Sequence, residues 1–137
     1  MSLPNGTYLI LNVRQNNAAL LQDKNDGTPV VAAPPDEKDQ KQQWEVTGQG
    51  NNYTIRNVSA FMFANNGNRA QAGAALEGRR ASQQYKVTET RISGQYTIAT
   101  TDSRFFWQLA DNQTGSSVLL SDAGTDQRSW WIFQRLF

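Results

Sequence analysis

Cysteine and histidine are both absent from the 137 residues of this chain. Without cysteine there is no disulfide, no thiol nucleophile and no thiolate zinc site. Without histidine the commonest general base and metal ligand is gone as well. Charge is sparse and balanced: 13 Lys and Arg stand against 12 Asp and Glu, for a net +1. A basic stripe, the electrostatic footprint of a nucleic-acid or anionic-membrane partner, is therefore missing, and Arg79-Arg80 is too short to supply one. No apolar run approaches the ~20 residues that span a bilayer, so membrane insertion is not expected. No paired-carboxylate constellation suited to catalysis is recognisable, and an Asp-rich calcium loop and a Gly-x-Ser-x-Gly turn are absent too. These absences argue for a binding module rather than an enzyme, with no cofactor and no metal. Residues 1–13 lack the basic start and apolar core of a signal peptide. With no cysteines, a cytoplasmic or unconventionally secreted protein is expected.

What the chain does have is a repeat. Tyr8-Leu9-Ile10, Tyr53-Thr54-Ile55 and Tyr96-Thr97-Ile98 recur at spacings of 45 and 43 residues. Each is answered by a second aromatic segment: Trp44-Glu45-Val46, Tyr85-Lys86-Val87 and Trp131-Ile132-Phe133. A fixed period of this size means like units that cannot bury a core alone and must share one. Alternating apolar residues, Thr, Val and Tyr enrichment, and turns at Gly27, Gly67 and Gly115 read as short strands. In the first unit these are Tyr8–Val13, Ala18–Gln22, Thr28–Ala33 and Gln43–Thr47, with Tyr8, Ile10 and Asn12 on one face and Leu9, Leu11 and Val13 on the other.

Three fourfold units, at about residues 1–50, 51–92 and 93–137, give some twelve strands in one domain. That pattern describes an all-β fold with pseudo-threefold symmetry, the β-trefoil: six strands close a barrel and three hairpins cap it, removing exposed sheet edges. Tyr8, Tyr53 and Tyr96, with Trp44, Tyr85 and Trp131, are then equivalent core aromatics. Of the run Phe105-Phe106-Trp107, one ring should face outward, and Trp107 is expected to fill a barrel end.

Asp26-Gly27-Thr28-Pro29-Val30 followed by Gln42-Gln43-Trp44 resembles the Gln-x-Trp repeat of ricin-B-type trefoil lectins, and Gln83-Gln84-Tyr85 repeats it with Tyr for Trp. Ser129-Trp130-Trp131 keeps only the aromatic. With its Gly-Thr-Tyr start and no cysteines, the chain is most similar to the small trefoil proteins of mushrooms. The resemblance implies a lectin for galactose or N-acetylgalactosamine glycans, with a homodimer as a further possible partner. The family's sugar site joins a carboxylate on the second strand to an aromatic platform on the third. Counted from the repeat Tyr, the carboxylate position falls on Leu20 or Leu21, on Asn65 and on Gln108, and no third strand carries a ring. Recognition would then fall to Asn65 and Gln108, whose amides both donate and accept. The loops before each fourth strand would add the rest: Asp36 and Asp39; Arg79, Arg80 and Ser82; Asp122, Asp126 and Arg128. Similar mushroom trefoils inhibit proteases through an exposed loop. For that alternative Lys24, in Gln22-Asp23-Lys24-Asn25-Asp26-Gly27, is the leading trypsin-directed residue, ahead of Arg69, Arg104 and Arg128.

Overall fold

A computed structural model describes residues 3–137. Strands β1 (Gly6–Asn12), β2 (Ala18–Leu21), β3 (Thr28–Ala33) and β4 (Trp44–Gln49) form the first unit. The second holds β5 (Asn52–Asn57), β6 (Phe63–Asn65), β7 (Glu77–Arg79) and β8 (Gln84–Glu89). The third holds β9 (Tyr96–Ala99), β10 (Phe106–Gln108), β11 (Leu119–Ser121) and β12 (Trp131–Arg135). Single 3-10 turns, Gln40–Gln42 and Gln127–Ser129, precede β4 and β12. The first-unit strands differ from the sequence reading only at their ends. β1 starts two residues earlier and stops at Asn12, because the buried Asn12 side chain closes the turn: its Oδ1 accepts from the Gln15 N–H at 3.0 Å. β2 stops at Leu21, and β4 runs from Trp44 on to Gln49.

Six strands close a ring: β1 pairs with β12 and β4, β5 with β4 and β8, and β9 with β8 and β12, all antiparallel. The other six form the hairpins β2–β3, β6–β7 and β10–β11. This is a β-trefoil. Its barrel interior repeats by threes. Ile10, Ile55 and Ile98, two residues after each repeat Tyr, are fully buried, and so are Trp44, Tyr85 and Trp131. Tyr8 and Tyr53 are buried as well, but Tyr96 is only partly so. The cause is the N-terminal segment. The Tyr53 hydroxyl donates to the Leu3 carbonyl at 3.0 Å and accepts from its N–H at 2.9 Å, while the Tyr8 hydroxyl donates to the Pro4 carbonyl at 2.6 Å. Among the described residues none covers Tyr96 in this way, and it packs edge-on against Phe133 at 5.6 Å. Leu9, on the face opposite Tyr8 and Ile10, is buried too. Trp107 is completely enclosed, between Tyr85 at 5.3 Å and Trp131 at 6.3 Å, with Phe105 and Phe106 half-buried beside it.

Packing between units is tight where β7 meets β2 and β3. Gly78 lies opposite Thr28, and a Cβ added there would stand 2.5 Å from Leu21 Cδ2. Leu21 is fully buried and has nowhere to retreat. Gly78→Ala should therefore destabilise the fold by about 1–3 kcal/mol through overpacking, and thermal unfolding should show a melting temperature lowered by several degrees.

Candidate functional site

The β2–β3 loop is a braced convex turn. Asp23 Oδ1 accepts from the Asn25 N–H at 2.9 Å and from the Thr28 hydroxyl at 2.6 Å. On the far side Asp26 Oδ1 accepts from the Arg80 N–H at 2.9 Å, and its second oxygen lies 3.7 Å from the Arg79 guanidinium. Gly27, at φ 98, donates its N–H to the Gly78 carbonyl at 2.8 Å. Asx turns of this kind are what Asp followed by Asn and Gly encodes locally. Lys24 stands exposed between the two anchored aspartates. Among the described residues, none donates to the Lys24 carbonyl.

The threefold symmetry repeats this turn with different side chains at its tip. In the third unit Asp111 Oδ1 accepts from the Gln113 N–H at 3.0 Å and the Ser116 hydroxyl at 2.6 Å, and Gly115 at φ 92 donates to the Ala32 carbonyl at 2.8 Å. In the second, Gly73 at φ 88 donates to the Leu120 carbonyl at 2.8 Å, with Arg69 where the other turns carry Asp. The residues at the three tips are Lys24, Ala70 and Asn112. One is a cation. The Asn112 carbonyl, unlike that of Lys24, accepts a bond from Asn17 Nδ2 at 3.0 Å.

The residues singled out from sequence for glycan recognition are divided among several places. Asn65, Arg79 and Ser82 line one open groove of about 440 Å³, with Asn68, Arg69 and Gln83. Asn65 is buried and bound to backbone at both ends: Nδ2 donates to the Ala81 carbonyl at 3.0 Å, and Oδ1 accepts from the Gly67 N–H at 2.6 Å. Arg79 grips Glu77 Oε1 through Nε at 3.0 Å and Nη2 at 2.6 Å. Arg80 lies exposed beside Asp26. Asp126 and Arg128 line a second groove of about 540 Å³, shared with Arg14, Gln15, Asp111 and Asn112. Arg128 is bound to Asp126 Oδ2 at 3.0 and 2.7 Å, so the two largely satisfy each other. Asp126 also caps the 3-10 turn by accepting from the Arg128 N–H at 2.9 Å, as Asp39 does from the Lys41 N–H at 3.0 Å. Asp36 accepts from the Lys38 N–H at 3.0 Å. Asp122 is exposed after β11, and Gln108 is half-buried on β10 opposite Leu119, outside both grooves. Leu20 and Leu21, at the carboxylate position of the first unit, are buried.

Sequence reasoning passed over Asp23 and Asp111, although the signal was present. Asp-x-Asn-x-Gly-Thr at residues 23–28 and Asp-x-Gln-x-Gly-Ser at residues 111–116 are the same turn written twice.

Residues 1–134 match the family model of peptidase inhibitor I66, and the chain belongs to that family. Solved structures with the same fold include the Rhizoctonia solani agglutinin, at 21% identity, 99% coverage of both chains and a TM-score of 0.90. The Macrolepiota procera ricin B-like lectin, solved in complex with lactose, is 18% identical, with 99% of this chain and 100% of that one covered and a TM-score of 0.90. The designed threefold-symmetric protein ThreeFoil is 16% identical over 96% of this chain and 99% of its own, at a TM-score of 0.88. At these identities the likeness shows the fold. No curated protein matches the sequence.

The hydroxyl of Thr28 and the Asn25 N–H hold the Asp23 carboxyl below its ordinary 3.8, and Ser116 with the Gln113 N–H does the same for Asp111. A carboxyl lowered in the folded state stabilises its turn fully above the ordinary value, and that contribution fades as pH falls through the lowered one. Amide exchange at Asn25 and Gln113 should accordingly stay protected at pH 4 and lose protection only in more acidic solution. Thr28→Val should raise the pH at which Asn25 opens while leaving Gln113 unchanged.

Proposed function

We propose that this chain inhibits a trypsin-like serine peptidase by presenting Lys24 to its cleft as a substrate-like residue. Membership of the peptidase inhibitor I66 family supports an inhibitor. The observation that carries the choice of residue is the comparison of the three tips: one frame, three side chains, and a cation at Lys24 alone. A long cationic side chain suits a deep cleft floored by a carboxylate. With no donor to it among the described residues, the Lys24 carbonyl can meet the enzyme's oxyanion donors, which need that oxygen for themselves. Bracing by Asp23, Asp26 and Gly27 removes most of the loop's freedom before the complex forms, so little ordering entropy is lost on binding.

Lys24→Glu should weaken trypsin inhibition at least about a hundredfold, as loss of a central buried charge does at protein interfaces, whereas Lys24→Arg should inhibit nearly as well as the parent. Steady-state titration of trypsin with each variant decides the matter. Equal inhibition by Lys24→Glu and the parent would remove Lys24 from the contact.

A glycan reading of the second-unit groove rests on Arg79, Ser82 and Gln83 facing one polar space. Galactose or N-acetylgalactosamine held there lacks a stacking ring, and Asn65 is occupied by backbone, so affinity near millimolar is expected. A lactose titration followed by amide shifts at Gly67 and Ser82 tests it, and Ser82→Ala should weaken any response seen.

A further inference from the structure

Each hairpin tip rests on the neighbouring unit, and it does so the same way three times. The tip glycines Gly27, Gly73 and Gly115 donate to the Gly78, Leu120 and Ala32 carbonyls, each at 2.8 Å. Two residues beyond those carbonyls are the flank positions: Arg80 for the Lys24 turn, Asp122 for the Ala70 turn and Pro34 for the Asn112 turn. One flank of the three is a cation, and it belongs to the one cationic tip. The fold does not ask for that pairing. Like charges at adjoining positions repel each other, and Asp122 and Pro34 show that the flank accepts an anion or no charge at all.

The charge of Arg80 is also not spent locally. Its neighbour Arg79 donates to Glu77 Oε1 at 3.0 and 2.6 Å, and Arg69 donates to Glu77 Oε2 at 3.3 Å. Asp26 Oδ1 accepts from the Arg80 backbone N–H at 2.9 Å, and Asp26 Oδ2 lies 3.7 Å from Arg79 Nη1. Arg80 is exposed, beside a hollow of about 420 Å³ shared with Asp26, Arg79 and Ala81. Among the described residues, none accepts from its guanidinium. Chain direction then gives Arg80 a side. Asp26 comes two residues after Lys24, in the part of a substrate that leaves when the bond after Lys24 is cut. A stable complex buries about 800 Å² on each partner, far more than the tip of one turn offers, so the flank on that side meets the rim of the cleft.

We propose that Arg80 is a second contact of the inhibitory face, meeting a carboxylate on the peptidase's rim at the leaving-group side of its cleft. The inference rests on the Lys24 reading and sharpens it. Lys24 sets the class of peptidase through the cleft, and Arg80 selects within that class for an acidic rim and against a basic one. A rim cation of this kind acts mainly on the association rate, and salt screens it.

The experiment is stopped-flow association of the intact protein with anionic and cationic trypsins, which both cleave after Lys and Arg and carry opposite net charge, at about 0.05 and 0.5 M salt. The parent should associate faster with the anionic enzyme, and the preference should shrink at high salt. Arg80→Gln should slow low-salt association with the anionic enzyme about three- to tenfold, and Arg80→Glu more. Arg80→Lys should keep most of the rate. Because the bond to Asp26 comes from the backbone, all three variants should melt with the parent. Arg104→Gln, which removes an exposed cation from the third unit, should leave the rate nearly unchanged. The proposal is overturned if Arg80→Glu keeps the parent's rates with both enzymes while Lys24→Glu loses inhibition; the Lys24 reading then stands alone. Equal slowing by Arg104→Gln and Arg80→Gln overturns it too, since net charge alone would then steer the encounter. Full inhibition by Lys24→Glu removes the underlying reading, and the leaving-side contact of Arg80 goes with it.

Discussion

A triangle of three backbone hydrogen bonds holds the three units to one another. The Val30 N–H donates to the Leu76 carbonyl at 2.8 Å, Leu76 to Val118 at 2.9 Å, and Val118 back to Val30 at 2.9 Å. Each side chain is fully buried. An unpaired N–H or C=O enclosed in this way would lose its water without replacement, at a cost of about 1–3 kcal/mol. The triangle closes only when all three hairpins are present and in register, so no unit satisfies its own polar groups alone. Register at the triangle then sets register at the tips, where the bonds from Gly27, Gly73 and Gly115 also cross to a neighbouring unit.

A frame satisfied by backbone leaves side chains free to diverge. Trp44 and Trp131 donate their indole N–H to the carbonyls of Ala19 and Trp107, at 2.9 and 3.0 Å. Tyr85 fills the same place in the second unit, but its hydroxyl turns instead to Asn66 Oδ1 at 2.8 Å and Gln83 Oε1 at 2.9 Å. Burial pushes that phenol far above its ordinary range, so it stays neutral. Asn12 and Asn57 both tie their turns to the fourth-strand loop, through Nδ2 bonds to the Arg128 and Lys41 carbonyls at 2.8 and 2.9 Å. Thr100, in the third copy, is too short for that reach and bonds Asp102 at 2.7 Å. The second unit has drifted furthest: Tyr for Trp, Arg69 for Asp at the hairpin, and Phe61, at φ 56, where the first unit has Asn16 at φ 61.

The architecture was legible in sequence because it rests on spacing. The Tyr–x–Ile and aromatic segments mark barrel strands whose period survives substitution, and five of the six marked aromatics are buried. Tyr96 departs because its cover depends on Leu3 and Pro4, which reach Tyr53 and Tyr8 but not the third copy, something no periodicity encodes. Site residues were harder to read because Asp, Asn and Arg serve backbone and ligand with the same atoms. Asp39 and Asp126 are caps, Asn65 is a turn clamp, and Asp23 braces the loop that displays Lys24.

The bond from the Asn25 N–H to Asp23 spans the peptide link between Lys24 and Asn25. Were a peptidase to hydrolyse that link, the amide nitrogen would become an ammonium, and a neutral contact would turn into an ion pair at the same spot. Downstream, Asp26 and Gly27 would stay moored to Arg80 and Gly78. The nicked ends would then have little freedom to gain by separating, and the new amine would remain beside the acyl carbon it had left. Resynthesis would compete with release, and a loop shaped like a substrate would be a poor one to finish cutting.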